Sequence, residues 1–129
     1  MPPIFTSLFA ERLGAVTRKR VKEASDGEEL APRSIYVAPG GKQMTVFSEG
    51  GRNFIRLDEK SPQDRFAPSA NNLLKSLADN YGKNAIAVIL TGMGDDGKEG
   101  ALALHSAGGK VVAESEKSAV IFGMPREVA

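Results

Sequence analysis

The sequence predicts an α/β fold in which a parallel sheet carries helices on its faces and a β-hairpin is added. The second half of the chain alternates helix, strand, helix and strand, which is typical of a parallel sheet. Residues 85–90 (AIAVIL) form a continuous apolar run, which predicts a strand covered on both faces. Residues 49–52 (EGGR) separate two β-prone runs and predict a hairpin.

The first half of the chain contains one predicted helix and three predicted strands. Apolar side chains recur at helical spacing over residues 6–16, and Thr6 is the expected N-cap. Residues 35–38 (IYVA) form a short strand that ends at the turn-forming residues 39–41 (PGG). The hairpin strands are predicted over residues 44–47 and 53–57.

The second half is expected to contain two helices and three strands. Ser69 is the expected N-cap of a helix that ends near Gly82. After the strand at residues 85–90 comes a glycine-rich turn and a second helix, which Gly108 and Gly109 close. Two further β-prone runs complete the pattern, at residues 110–113 and 119–122.

Length and composition limit the possible classes of function. The 129 residues are enough for one domain, and 41% hydrophobic with 26% charged residues is an ordinary globular mixture. The absence of cysteine excludes disulfides and thiolate chemistry and favours a cytoplasmic address. A net charge of +1 without a concentrated basic face argues against nucleic-acid binding. No apolar run approaches the roughly 20 residues that span a bilayer, so no membrane insertion is expected.

The turn after the apolar strand is the first candidate site, because ligands bind at the carboxyl ends of strands in parallel sheets. Residues 92–97 (GMGDDG) match the G-x-G-x-x-G fingerprint of dinucleotide-binding domains. However, Asp95 and Asp96 would face the pyrophosphate, where backbone N–H groups are needed. The fingerprint also normally opens its domain, whereas here it follows about 90 residues. A nucleotide-binding module is therefore the weaker alternative.

The two carboxylates allow other roles. One ionised carboxylate at this edge could orient a histidine, as in hydrolase triads. Asp95 and Asp96 could instead only cap the following helix. A metal site is disfavoured, because two adjacent carboxylates without a nearby histidine are a poor ligand set. His105, the only histidine, lies about two helical turns from Asp96, too far along the helix to reach it. We expect no metal and no cofactor.

Five segments, in order, resemble blocks of the protein-glutamate methylesterases of bacterial chemotaxis (CheB-type). Residues 88–97 (VILTGMGDDG) resemble the signature V-I-L-T-G-M-G-x-D-G. The other four segments are residues 1–6 (MPPIFT), 36–40 (YVAPG), 107–109 (AGG) and 116–127 (EKSAVIFGMPRE).

The resemblance implies a doubly wound, mostly parallel sheet with helices on both faces, a Rossmann-like three-layer sandwich. It implies a Ser-His-Asp triad that hydrolyses glutamyl methyl esters on chemotaxis receptors and deamidates certain receptor glutamines. Asp96 matches the family's catalytic aspartate and would hold the histidine in its reactive tautomer. The resemblance also makes Met93, Gly94 and Met124 substrate-pocket residues, and it implies a receiver domain in the full-length parent.

The resemblance also implies what this chain lacks. The family's serine lies upstream of Met1, its histidine falls immediately before Met1, and its closing helix follows Ala129. Residues 1–129 are therefore expected to be a partial catalytic domain, a single domain truncated at both ends, inactive alone and prone to self-association. Residues 66–71 (FAPSAN) depart from the family's H-R-P-S-V-D, and Gln43 stands where many relatives have histidine. A non-catalytic receptor-interacting domain that keeps the fold is the alternative function.

Overall fold

Two units, Met1–Pro68 and Ser69–Ala129, divide the chain in the computed structural model, which describes residues 1–129. The first unit contains α1 (Pro3–Thr17), β1 (Arg20–Glu23), β2 (Ser34–Val37), β3 (Lys42–Glu49) and β4 (Arg52–Glu59). The second contains α2 (Ala70–Asn80), β5 (Ile86–Ile89), α3 (Lys98–Ser106), β6 (Lys110–Ala113) and α4 (Met124–Val128). No helix combines the length and the apolar character needed to cross a membrane.

Helix α1 is present, but the prediction that Thr6 is its N-cap is wrong. The helix begins at Pro3, because proline fits the first helical position without losing a hydrogen bond. Thr6 therefore lies one turn inside, where it is 3% exposed. Its hydroxyl accepts a 2.9 Å hydrogen bond from the Gly40 N–H and lies 2.6 Å from Glu23 Oε1. The side chain thus joins α1 to the end of β1 and to the turn that follows β2.

The strands of the first unit form a parallel pair and a hairpin. β1 and β2 pair in parallel from Arg20 opposite Ser34 to Glu23 opposite Val37. β3 and β4 pair antiparallel, and the predicted hairpin is confirmed. Gly50 and Gly51 form its two-residue loop with φ of +59° and +76°, the left-handed conformations that a type I′ turn requires.

The second unit packs α2 and α3 against one face of the parallel pair β5–β6. Six small or apolar side chains form its buried core: Leu74, Ala85, Ala87, Ile89, Ala101 and Leu104. The prediction that residues 85–90 are covered on both faces is wrong in this structure. Alternate side chains point away from the helices, so that Ile86, Val88 and Leu90 are 65%, 57% and 60% exposed.

The predicted strand at residues 119–122 is also wrong. Only one bridge, between Gly92 and Phe122, joins this segment to another part of the chain. The reason is that the backbone of Ile121 bonds to the turn after β5 and not to a full neighbouring strand. Its carbonyl oxygen accepts a 3.0 Å hydrogen bond from the Gly92 N–H. The Thr91 side chain also binds Ile121. Its Oγ1 accepts a 2.6 Å hydrogen bond from the Ile121 N–H and lies 3.1 Å from the Ile121 carbonyl oxygen.

Candidate active site

The loop between β5 and α3 lies at the carboxyl end of the second parallel pair. The Thr91 N–H at the start of the loop donates a 2.7 Å hydrogen bond to Glu114 Oε2, which follows β6. Gly94 and Gly97 have φ of +95° and +99°, so the loop bends through conformations that favour glycine. The two parallel strands therefore meet at one edge, where this loop presents residues 92–97.

Asp96 lies half-buried in this loop, and its carboxylate caps the N-terminus of α2. Oδ1 accepts hydrogen bonds from Ser69 Oγ at 2.8 Å and from the Asn71 N–H at 3.1 Å. Oδ2 accepts one from the Ala70 N–H at 2.7 Å. A carboxylate can accept about four hydrogen bonds, two on each oxygen. One acceptor position on Oδ2 therefore stays available for another donor.

The capping differs from the one expected from the sequence. The alternative was that Asp95 and Asp96 cap α3, but the Asp96 side chain caps α2, and α3 is preceded by Gly97. Asn71 supplies the cap of α3 instead, since its Oδ1 accepts hydrogen bonds from the Gly97 and Gly100 N–H groups at 3.1 and 2.8 Å. These amides are the ones that a dinucleotide pyrophosphate would need. The nucleotide-binding alternative therefore loses its anion site.

Gly92 and Gly123 hold the far side of the loop in close backbone contact. The N–H groups of Gly123 and Met124 donate to the Gly92 carbonyl oxygen at 3.1 and 2.8 Å. A Cβ on Gly123 would lie 2.6 Å from that oxygen, and one on Gly92 would lie 2.5 Å from Met124 Sδ. Neither position therefore accommodates a larger residue without movement of the backbone or of Met124.

The three residues predicted to line a substrate pocket have different surroundings. Met93 is 86% exposed, and Gly94 is exposed beside it. Met124 is partly buried and packs against the core of the second unit. Two of the three therefore lie on the open surface of the loop, and their role in substrate binding stays a prediction.

Ion pairs surround the start of α3. Lys98 Nζ lies 2.8 Å from Glu127 Oε2, and Lys75 Nζ lies 2.7 Å from Glu99 Oε2. The hydrogen bond from Lys98 to Glu127 raises the pKa of Lys98, and the charge of Asp95 adds a smaller effect in the same direction. Lys75 lowers the pKa of Glu99 through the same kind of bond. No group of three or more His, Asp and Glu side chains is arranged to hold a metal ion.

A groove of about 660 Å³ lies elsewhere in the second unit, and Asp96 is not among its lining residues. Leu102, His105, Val111 and Val128 contribute to its wall. His105 lies in the last turn of α3, whereas Asp96 precedes the first turn of that helix. The only histidine of the chain is therefore not a partner for Asp96, in agreement with its position in the sequence.

Comparison with known proteins agrees with the five sequence segments. The family model described as CheB methylesterase matches residues 1–129. The chain belongs to the CheB methylesterase family. The crystal structure of the Thermotoga maritima CheB methylesterase catalytic domain matches 99% of this chain with a TM-score of 0.94 and 41% identity. This match confirms the predicted α/β fold class, and the chain covers 68% of that domain.

Curated relatives are similar over almost the whole chain. Proteins named protein-glutamate methylesterase/protein-glutamine glutaminase from Pectobacterium atrosepticum and Salmonella typhimurium are each 47% identical over 127 residues. A relative from Myxococcus xanthus is 46% identical over the same length. These matches cover 98% of this chain and 36–37% of each relative. The chain thus spans about a third of the length of these relatives.

Sequence reasoning missed the contacts that hold Asp96 and its loop. Ser69 was expected only as an N-cap, and Asn71 only as a departure from the family's pattern. Their hydrogen bonds to residues 96–100 join positions 25 to 29 residues apart. A local pattern identifies the start of a helix, but it does not reveal which distant loop the helix contacts.

Proposed function

We propose that this chain forms the aspartate-bearing part of an active site that hydrolyses glutamyl methyl esters and deamidates glutamines. The substrate in this proposal is a methyl-accepting chemotaxis receptor. Membership of the methylesterase family and the names of the relatives support this reaction class. The observation that carries the proposal is the carboxylate of Asp96, which is fixed at the carboxyl end of a parallel strand with one acceptor position unused.

The proposed chemistry assigns Asp96 an orienting and electrostatic role. The open position on Oδ2 would accept the N–H of a histidine ring and hold that ring in the tautomer whose other nitrogen removes a proton from serine. When serine attacks the ester carbonyl, the histidine becomes positively charged, and the fixed carboxylate stabilises that charge. The same acid would serve ester hydrolysis, which releases methanol, and amide hydrolysis, which releases ammonia.

A chimera tests the role of Asp96. This chain would replace the matched 127 residues of the Salmonella typhimurium relative, which supplies the remainder of the polypeptide. We expect the chimera to release methanol from methylated receptor, and Asp96→Asn to lower kcat about 10⁴-fold, as the same substitution of the acid does in a serine protease triad. The measurement is methanol release under initial-rate conditions.

The adjacent carboxylate provides a matched control. Asp95→Asn removes the same charge from the neighbouring position and should leave kcat close to that of the unsubstituted chimera. The chain alone should release no methanol, because the family resemblance puts the serine and the histidine outside residues 1–129. If Asp96→Asn were as active as the chimera, Asp96 would not be the acid and its capping role would suffice. A folded chimera without activity would overturn the proposal that this chain completes the active site.

A further inference from the structure

The helices α2 and α3 exchange caps at the site. Asp96, in the loop before α3, accepts from Ser69, Ala70 and Asn71 at the start of α2. In return, Asn71 Oδ1 accepts from the Gly97 and Gly100 N–H groups at the start of α3. The first N–H groups of a helix have no partner within the helix, so each helix start supplies donors that need an acceptor. The loop before α3 thus accepts from the donors at the start of α2, and α2 accepts from the donors at the start of α3.

This exchange fixes the direction of the Asp96 carboxylate as well as its position. Ser69 Oγ and the Asn71 N–H both bind Oδ1, and the Ala70 N–H binds Oδ2. Rotation of the carboxylate about its bond to Cβ would break bonds on both oxygens together. The unused acceptor position of Oδ2 therefore has a defined direction.

Asn71 fixes the loop from the other side of Asp96. Its Oδ1 binds the N–H of Gly97, the residue that follows Asp96, at 3.1 Å. A Cβ on Gly100 would lie 2.9 Å from the Asn71 carbonyl oxygen and 3.0 Å from its Cα. Because the two backbones already touch, a change in the contact made by Asn71 displaces the loop that carries Asp96.

We infer that Ser69 and Asn71 are positioning residues of the reaction, which hold the Asp96 carboxylate in the direction that a histidine partner needs. The inference rests on the proposed function. A purely structural cap would contribute to stability alone. A positioning role additionally predicts a loss in the chemical step without a loss of substrate binding, since neither side chain contacts the substrate in the proposed arrangement.

Substitutions in the chimera distinguish these roles. We expect Ser69→Ala and Asn71→Ala each to lower kcat about 10- to 100-fold, the scale of a small misplacement of a catalytic group. KM should change less than roughly twofold, because substrate contacts are intact. Ser69→Thr keeps a hydroxyl, and Asn71→Asp keeps an oxygen that accepts from both N–H groups. Both conservative variants should restore kcat to most of the unsubstituted value.

Matched controls lie in the same helix. Ser76 Oγ donates to the Leu73 carbonyl oxygen at 2.7 Å, and Asn80 Nδ2 donates to the Ser76 carbonyl oxygen at 2.8 Å. Ser76→Ala and Asn80→Ala remove comparable hydrogen bonds away from Asp96 and should leave kcat unchanged. In the chain itself, Asp96→Asn should move the Ala70 amide proton resonance upfield, because the charged acceptor of that N–H is lost.

The outcomes separate this inference from the proposed function. If Asp96→Asn abolishes turnover while Ser69→Ala and Asn71→Ala retain it, the two side chains are not positioning residues and the proposed function stands. If Asp96→Asn has no effect, the proposed function is wrong, and the inference that rests on it is wrong with it. If Asn71→Ala unfolds α2, the decision rests on Ser69→Ala, which removes a single hydroxyl. An equal loss of kcat in the Ser76 and Asn80 controls would also overturn the inference.

Discussion

Gly100 lies where α3 approaches the backbone of α2. An added Cβ would lie 2.7 Å from Leu74 Cβ and 2.9 Å from the Asn71 carbonyl oxygen. Neither atom is the end of a flexible side chain, so the helices would have to separate. Glycine at this helical position therefore costs backbone entropy, but it permits the close contact on which the exchange of caps depends.

We predict that Gly100→Ala destabilises the chain by about 1–3 kcal/mol, the usual cost of overpacking a core contact. Gly14→Ala is the matched control, since it also lies within a helix but its Cβ would meet Val21 Cβ at an ordinary 3.6 Å. That control should be neutral or stabilising by up to about 1 kcal/mol, because alanine is the better helix former. Urea unfolding of the two variants checks the difference, and equal stabilities would contradict the packing argument.

At the scale of elements, the sequence predicted those whose signals are local. The hairpin followed from Gly50 and Gly51, because turn chemistry acts over a few residues. Helix α2 begins directly after Ser69, as predicted, but the Ser69 side chain makes no cap of its own and the capping carboxylate is that of the distant Asp96. Two features were wrong for a shared reason. Residues 119–122 lack a strand because the backbone of Ile121 bonds to Thr91 Oγ1 and to the Gly92 N–H in the turn after β5. The covering of β5 likewise depends on what packs against it, not on its own apolar run.

In the candidate site, too, local features could be predicted from the sequence and long-range contacts could not. The Asp96 position could be selected from sequence, because it follows a strand in a glycine-rich turn that resembles a family signature. Its contacts with α2 could not, because they depend on the packing of two helices. Met124 shows the limit most clearly: the resemblance suggested a pocket residue, whereas its side chain packs under Gly92 and against the core.

The pair of Lys98 and Glu127 joins α3 to α4, and it predicts a pH dependence of stability. The hydrogen bond from Lys98 lowers the pKa of Glu127 below its ordinary value of 4.5. A carboxylate whose folded pKa is lowered stabilises the fold above its unfolded pKa, and this contribution is lost as the pH falls through the folded pKa. The raised pKa of Lys98 gives a contribution to folding stability that is fully present below the ordinary lysine pKa of 10.5. This contribution is lost as the pH rises through the folded pKa.

Glu127→Gln should therefore lower Tm at neutral pH and bring the variant closer to the unsubstituted chain at acidic pH. The Lys98 side chain is 57% exposed and that of Glu127 is 31% exposed, so solvent screens the pair; the difference should be small and should shrink in molar salt. Glu116→Gln, which removes an exposed carboxylate from the loop after β6, is the control. Thermal unfolding between about pH 7 and pH 3 makes the comparison. A Tm difference that is constant with pH would contradict the role of the ion pair.

At the scale of the whole molecule, both units leave apolar surface in contact with water. In the first unit, α1 buries Thr6 and Ala10, while Phe5, Leu8 and Phe9 are about half exposed at 54%, 53% and 50%. In the second, the outward face of β5 is exposed. Each parallel sheet of the two units contains only two strands, so its outer edges have no neighbouring strand. Apolar patches and strand edges without a partner both favour association with other polypeptides.

We predict that the chain self-associates as its concentration rises, and that the outward face of β5 contributes to this. Val88 lies opposite Val112 in the parallel register, and the two are 57% and 52% exposed, so they form one apolar patch with Ile86. The double substitution Ile86→Thr/Val88→Thr keeps β-branched side chains while making the patch polar, and it should shift the population toward monomer. Val120→Thr, at an 85% exposed position outside the strands, should have little effect. Sedimentation velocity over a concentration series checks this, and an unsubstituted chain that stays a 13.7 kDa monomer throughout would contradict it.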